Sequence, residues 1–288
     1  MEDDSSLSPM ELEGWLEFNK LKWGVQPLRV RYTSRGELPV ITAVVYLGRR
    51  GRIVLPKLNP YLPLTFQATP TSKGFRRERQ WLEVASQMAC DMRERGLRGI
   101  VNLPPGLADA RPWRWAGFRV GVAYTYCLGF PAHLEDASSA LRRNIAKAER
   151  MGYRAERTFD MADVLVPLEE TEGRQNFYLR LSLQDLELAR KLLGDEHLRA
   201  CVGYAPDGAP VSACVVLHVA GATAIYWVAG TCTEHLTTGV AQLCQLECMR
   251  DLQAAGASGI DLAGANIPAV AAAKVGWGAR LVPYLTVE

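Results

Sequence analysis

The chain has 288 residues, 48% of them hydrophobic and 22% charged, with a formal net charge of +2. This is the composition of a soluble globular protein with a real core, long enough for one large domain or two ordinary ones. No apolar run reaches the ~18 residues of a membrane span, and seven scattered cysteines without an export signal fit free thiols, not a disulfide framework.

The acidic opening MEDDSSLSPMELEG reads as a frayed tail, not a secretory or transit segment, with a first helix from about Pro9. A cytoplasmic location is the expectation. PLRVRYT, PVITAVVYL and RIVLPKL follow as three strands, separated by SRGE and GRRG turns. A helix over about 75–95, a stop at Gly96 and a short strand RGIVNLP complete the group.

HLEDASSALRRNIAKAERMG, 133–152, reads as one helix with Glu135 and Asp136 in its first turn and Arg150 in its last. Leu134, Leu141, Ile145 and Ala148 form its apolar stripe. Arg142, Arg143, Lys147 and Arg150 occupy much of the remainder, either as a solvated basic face or as an anion site.

CVGYAPDGAPVSACVVLHVAGATAIYWVAG then gives three more strands with Pro-Asp-Gly and Ala-Gly turns. A helix over about 237–255, Gly256 and the strand SGIDLAG come next. Pro268 opens a short helix that Lys274 and Gly276 close. Cys244 and Cys248 lie one helical turn apart; without a second pair they read as buried packing, not a metal site.

The two series have the same order of elements. At an offset of 160, Gly96, Gly99 and Ile100 meet Gly256, Gly259 and Ile260, and Arg114 falls opposite Lys274. The reading is two lobes of a β-β-β-α-β unit, 1–132 and 133–288. The first carries 19 Lys+Arg against 12 Asp+Glu, a net +7, and the second a net −5. A basic first half fits either an anionic ligand or solvated surface charge.

LRRNIAKAERMG, the YTY before it, and DLAGAN…AAAKVGWGARLVPY together resemble the FemABX group and its BioF2-like relatives in the GNAT superfamily. The resemblance implies an α/β fold of two tandem GNAT-like lobes, each a mixed, mainly antiparallel sheet flanked by helices, with a cleft between them. It also implies acyl transfer to an amine. In Fem-type members the donor is an aminoacyl-tRNA and the acceptor a peptidoglycan precursor; other relatives use acyl-CoA. No tightly bound cofactor and no metal is expected. Lys274 corresponds to the lysine of the family's F-K-x-x-F-G motif, with Ala273 in place of the first phenylalanine and Trp277 in place of the second.

Aminolysis of an ester or thioester builds negative charge on a carbonyl oxygen, which a fixed cation such as Lys274 stabilises. Asp261, at a strand end, can accept the amine's proton or serve as a structural acceptor. Asn266 can cap the short helix or touch substrate. Trp277 can stack on a base or wall the cleft, and of Tyr226 and Trp227 one is core and the other a cleft residue. Lys57 and Tyr61, in PKLNPYLP, either contact substrate or form a plain turn. The glycine-rich phosphate turn of a CoA enzyme is reduced here to Gly239 in TEHLTTGVAQL. Three functions stand: an aminoacyl-tRNA-dependent aminoacyltransferase acting on a peptide or small-molecule amine, an acyl-CoA-dependent N-acyltransferase, and a non-catalytic GNAT-like binding protein.

Overall fold

The computed structural model describes residues 8–34, 36–175 and 181–288. Most of the expected acidic tail lies outside them, but a 3-10 turn at Pro9–Glu11 is capped by Ser8 and buries Met10. In chain order the first series is α1 (Glu13–Trp23), β1 (Gln26–Thr33), β2 (Val40–Leu47), β3 (Leu64–Gln67), α2 (Gly74–Arg95), β4 (Val101–Asn102), α3 (Arg111–Trp115) and β5 (Val120–Gly129). A connecting segment holds α4 (Ser139–Arg150), β6 (Arg154–Thr158), α5 (Met161–Gln175) and α6 (Leu183–His197). The second series is β7 (Leu198–Tyr204), β8 (Pro210–Leu217), β9 (Thr223–Thr231), α7 (Val240–Ala254), β10 (Gly259–Asp261), α8 (Pro268–Val275) and β11 (Arg280–Val287).

The repeat is therefore longer than the sequence suggested: three strands, a helix, a strand, a short helix and a strand occur twice. Gly96 and Gly256 both end their helices with positive φ, 72° and 81°. The match stops there. Ile260 is fully buried in β10, whereas Ile100 is 54% exposed just before β4. The expected strand RIVLPKL is a loop, in which Ile53 makes only isolated bridges to Leu47 and Leu97. Pro56 and Pro60 deprive that stretch of donors, and the third strand forms after them, pairing with β2 from Ala43↔Leu64 to Val40↔Gln67.

The chain divides into two units, Met1–Phe18 with Thr125–Leu281, and Asn19–Tyr124 with Val282–Glu288. The changeovers fall inside α1, β5 and β11, whereas 132/133 separates the two series only along the sequence. β10 pairs antiparallel with β5, Gly259↔Gly129 to Asp261↔Cys127, and β11 pairs with β4 through Thr286↔Asn102. The last strand of each series thus pairs with a strand of the other series.

In the larger unit every residue of β7 is buried, as is all of β8 except Pro210. Strands buried on both faces carry mainly apolar residues, which is why CVGY and VSACVVL do not alternate regularly with polar ones. One face carries α4 and α7 with Leu141, Ile145, Cys244 and Leu252 in its core. On the other side of the sheet, Trp227 packs edge-on against Trp15 and Phe18, at 5.2 and 5.5 Å between ring centroids. Gly230 permits α5 to touch β9, since a Cβ there would lie 2.3 Å from the Pro167 carbonyl oxygen.

The expected helix 133–152 breaks in two. Leu134–Asp136 is a separate 3-10 turn, and Ser138 caps α4 by accepting from the Leu141 amide at 3.3 Å. Glu135 and Asp136 consequently sit outside the helix whose dipole they were expected to oppose. The helix expected over 237–255 begins at Val240, behind Gly239.

One polar clamp crosses this apolar layer. Arg199 of β7, 9% exposed, donates to both carboxylate oxygens of Asp251 on α7, at 2.5 and 2.7 Å. The pair raises the affinity of the Arg199 guanidinium for its proton. Removing one partner strands the other charge in the interior. Asp251→Ala should cost about 3–5 kcal/mol in urea unfolding. Arg190→Ala, which loses an exposed pair with Asp195, should cost less than about 1 kcal/mol.

Candidate active site

β9 and β10 run parallel from Thr223↔Gly259 to Ile225↔Asp261. β10 ends there while β9 continues to Thr231, so the strands part beyond Ile225. A crevice at the carboxyl ends of parting parallel strands is where α/β folds commonly bind ligands. The residues at this fork are Asp261, the loop 262–264 and Lys274.

Asp261 is 3% exposed and accepts from the Thr125 hydroxyl at 2.5 Å and the Ala263 amide at 2.8 Å. The turn it forms places Ala263 at φ 52° and Gly264 at φ 45°. A left-handed alanine costs roughly 1–2 kcal/mol. In return, three successive carbonyls curl toward one point. Lys274 Nζ, on the last turn of α8, donates to the carbonyls of Leu262 (2.6 Å), Ala263 and Gly264 (3.1 Å). An ammonium has three protons, and here the loop takes all three. Burial pushes the Lys274 pKa down to about 8, with the Asp261 charge opposing the shift. Lys274 stands in the last turn of α8, where the sequence placed it, and it also ties α8 to the end of β10.

Asn266 is exposed in the loop ahead of α8, whose N-cap is Ile267 without a side-chain cap. Trp277 is 4% exposed, donates its indole N–H to Gln245 at 2.9 Å and packs in the core, and it also lines a pocket with His133, Leu134 and Arg250. One of Tyr226 and Trp227 was expected in the core; Trp227 is buried, and Tyr226 also packs against the core, beside the thiols of Cys214, Cys244 and Cys248. Those three cysteines are buried packing residues. Among the described residues no group of three or more His, Cys, Asp or Glu side chains is placed to hold a metal ion. Tyr61 is 3% exposed and packs its ring edge-on against Tyr284 at 4.9 Å. Lys57 is exposed and lines a pocket of the smaller unit.

Arg142, Arg143 and Lys147 are all exposed on α4. Arg142 donates to the Glu135 carbonyl at 3.2 Å, and Lys147 to the Thr237 carbonyl at 2.8 Å. The second bond ties α4 to the start of α7, where an acetyl-CoA enzyme would seat a pyrophosphate on free amides. Gly239, at φ 96°, is the N-cap of α7, and a Cβ there would lie 2.0 Å from the Asn144 carbonyl oxygen. The backbone of α4 therefore lies against the helix start that a phosphate would need. Asn144 and Thr125 lie inside the LRRNIAKAERMG and YTY motifs, but the sequence assigned neither of them a role. Their roles arise from contacts 95 and 136 residues distant in the chain.

Two outcomes test this geometry. Lys274→Met leaves three carbonyls without their donor and should lower stability by about 1–3 kcal/mol in urea unfolding. Because the folded pKa near 8 lies below the unfolded value of 10.5, the unfolded chain binds more protons between those pH values. The wild type should therefore gain stability over Lys274→Met as pH rises from about 8 to 10.5. A gap that narrows over that window would mean that the loop stabilises the ammonium more than burial penalises it.

Residues 136–268, less than half of the chain, match the family profile described as acetyltransferase (GNAT) domain. No curated protein sequence matches. Among solved structures, one described as FemX superposes with a TM-score of 0.66 at 13% identity, covering 98% of this chain and 92% of that one. The C-terminal domain of a putative lysylphosphatidylglycerol synthetase from Agrobacterium fabrum gives 0.60 at 14% identity, over 93% and 86%. L-PGS from Bacillus licheniformis gives 0.55 at 12%, over 94% and 90%. Residues 136–268 thus match an acetyltransferase (GNAT) domain, on a chain with a tandem GNAT-like fold similar to that of FemX, and the match supports an acyltransferase.

Proposed function

We propose that the chain is an aminoacyltransferase that moves an aminoacyl group from aminoacyl-tRNA to the amine of a peptide or small molecule, forming an amide in the cytoplasm. The observation that carries this reading is the start of α7. With the Asn144 backbone against Gly239 and Lys147 bonded to Thr237, it offers a poor cradle for the pyrophosphate of a CoA donor. The FemX-like fold supports the same donor class. Arg143 and Arg150 add exposed positive charge on α4, suited to a polyanion. Among the described residues no helix is long and apolar enough to cross a membrane.

In this mechanism Lys274 supplies charge at the fork. Its ammonium is held by the 262–264 carbonyls before substrate arrives, so the charge is already in position when the ester carbonyl gains negative charge. A substrate oxyanion competes with those carbonyls for one of the three protons. Asp261 positions the loop through Thr125 and Ala263 and keeps the site near neutral overall. The attacking amine's proton leaves to solvent or to the leaving ribose hydroxyl.

The runner-up is an acyl-CoA-dependent N-acyltransferase, favoured by the acetyltransferase description of the domain. One assay separates them. Amino acid, ATP, tRNA and the cognate synthetase are supplied with an amine acceptor, with and without ribonuclease. Product should appear only with intact tRNA; product that survives ribonuclease or needs only acyl-CoA selects the runner-up. Donor affinity should fall steeply with salt, as phosphate contacts release counterions.

The charge itself is tested by pH. Turnover should fall on the alkaline side with a midpoint near 8, as Lys274 loses its proton. Lys274→Arg should move that limb to higher pH, and Lys274→Met should reduce kcat by roughly 10²-fold or more. An unshifted limb in Lys274→Arg would assign the titration to another group.

A further inference from the structure

The smaller unit holds a second concavity, of about 440 Å³, within the usual range for small-molecule sites. Its walls come from three separate segments: the end of α1 with Trp23, the 48–57 stretch after β2, and Arg98 in the turn after α2. Three of its lining side chains are cations, Arg49, Lys57 and Arg98, and none is an anion. Like charges gathered in one concavity repel, and nothing in the wall offsets them.

None of these three side chains forms an ion pair or hydrogen bond with another described residue. In the same unit Arg95 and Arg111 are paired with carboxylates, at 2.8 and 2.6 Å. The backbone that presents them is fixed. The Ile53 amide donates to the Gly96 carbonyl at 2.9 Å and the Arg98 amide to the Ile53 carbonyl at 2.8 Å, which binds the Arg98 turn to the Lys57 stretch. Strain accompanies this arrangement. Among the described residues three non-glycine positions have positive φ. Ala263 is at the Lys274 fork; the other two, Arg50 at 62° and Leu58 at 63°, directly follow Arg49 and Lys57. Strained backbone that persists in a rigid surrounding clusters at functional sites.

We propose that this pocket binds the diphosphate of a small phosphorylated molecule, with Arg49, Lys57 and Arg98 on the phosphate oxygens. Guanidinium forks match phosphate geometry bidentately, and a lysine adds a point charge. Trp23, Leu55 and Pro56 give the same pocket an apolar wall for the remainder of the ligand. The site shares no residue with the Lys274 fork and does not depend on which donor the transferase uses.

Calorimetric titration of the full chain with inorganic pyrophosphate and with ADP, at constant ionic strength held by chloride, tests the proposal. One saturable site is expected. Arg98→Gln and Lys57→Gln should each weaken it about tenfold or more, corresponding to loss of a charge-assisted contact of ~1.4 kcal/mol or more. Lys73→Gln, an exposed cation outside the pocket, should leave it unchanged. All three positions are exposed, so thermal melts should show the variants folded. Absence of a saturable site, equal binding by the pocket variants, or equal weakening by Lys73→Gln would overturn the proposal. A short single-stranded RNA that binds through Arg98 and Lys57 while pyrophosphate does not would also overturn it, in favour of an RNA surface.

Discussion

Three backbone carbonyls around one ammonium hold the fork of the larger unit together. Without Lys274, the carbonyls of Leu262, Ala263 and Gly264 would converge with nothing to offset their mutual repulsion, and Ala263 would have little reason to stay left-handed. Without Asp261, which gathers the Ala263 amide, the loop would not curl. The two residues act on one turn from opposite sides, one through its donors and the other through its acceptors. Charge is thus fixed before any substrate is bound, which is the condition under which electrostatic stabilisation of a transition state is strongest. The same contacts are structural and chemical, so a substitution at Lys274 has to be read on both stability and turnover.

The start of α7 shows the reverse case, a conventional binding feature given over to packing. A helix N-terminus has unpaired amides and a partial positive charge, and phosphate is its usual guest. Here Thr238 accepts from the Val240 amide at 3.3 Å, and the Asn144 backbone lies against Gly239. Glycine is required twice over at 239, because φ is 96° and because any side chain would strike α4. Closing the cradle and exposing the basic residues of α4 are one event, since the helix that lies against Gly239 also carries Arg143 and Arg150.

Much of the architecture was legible in the sequence, for identifiable reasons. Helix stops at Gly96 and Gly256, the strands either side of Pro-Asp-Gly, and the short helix from Pro268 to Lys274 depend on local backbone rules. The errors arose where tertiary context decides. RIVLPKL has the composition of a strand but contains Pro56, and the ladder waits until Leu64. Glu135 and Asp136 resemble a first helical turn until Ser138 is seen to cap the real one. Trp277, Tyr226 and Tyr61 are aromatic rings suited to a ligand, and nothing in their neighbours along the chain says that Gln245 accepts from the indole N–H, that Tyr226 packs beside the cysteine cluster or that Tyr284 meets Tyr61. Lys274 was legible as a motif, but its carbonyl cage was not, since backbone acceptors leave no mark in composition. Arg49 and Arg98 escaped notice because 49 residues separate them and no single segment reveals their pocket.

The exchange of last strands explains why the two series remain one chain. β10 has only three residues, too few to hold a position on its parallel bonds to β9 alone. Its second partner is β5, and β5 is the last strand of the first series. The hydroxyl that fixes Asp261 comes from the same strand, at Thr125. Residues 133–288 by themselves would therefore contain Lys274 and Asp261 but lack both the strand that seats β10 and the donor that orients the carboxylate. The smaller unit has the same dependence, since β4 has two residues and pairs with β11 from the second series. Each series pairs its last strand with a short strand of the other, so the chemistry of the fork is a property of the whole chain although every residue of the proposed charge site lies in its second half.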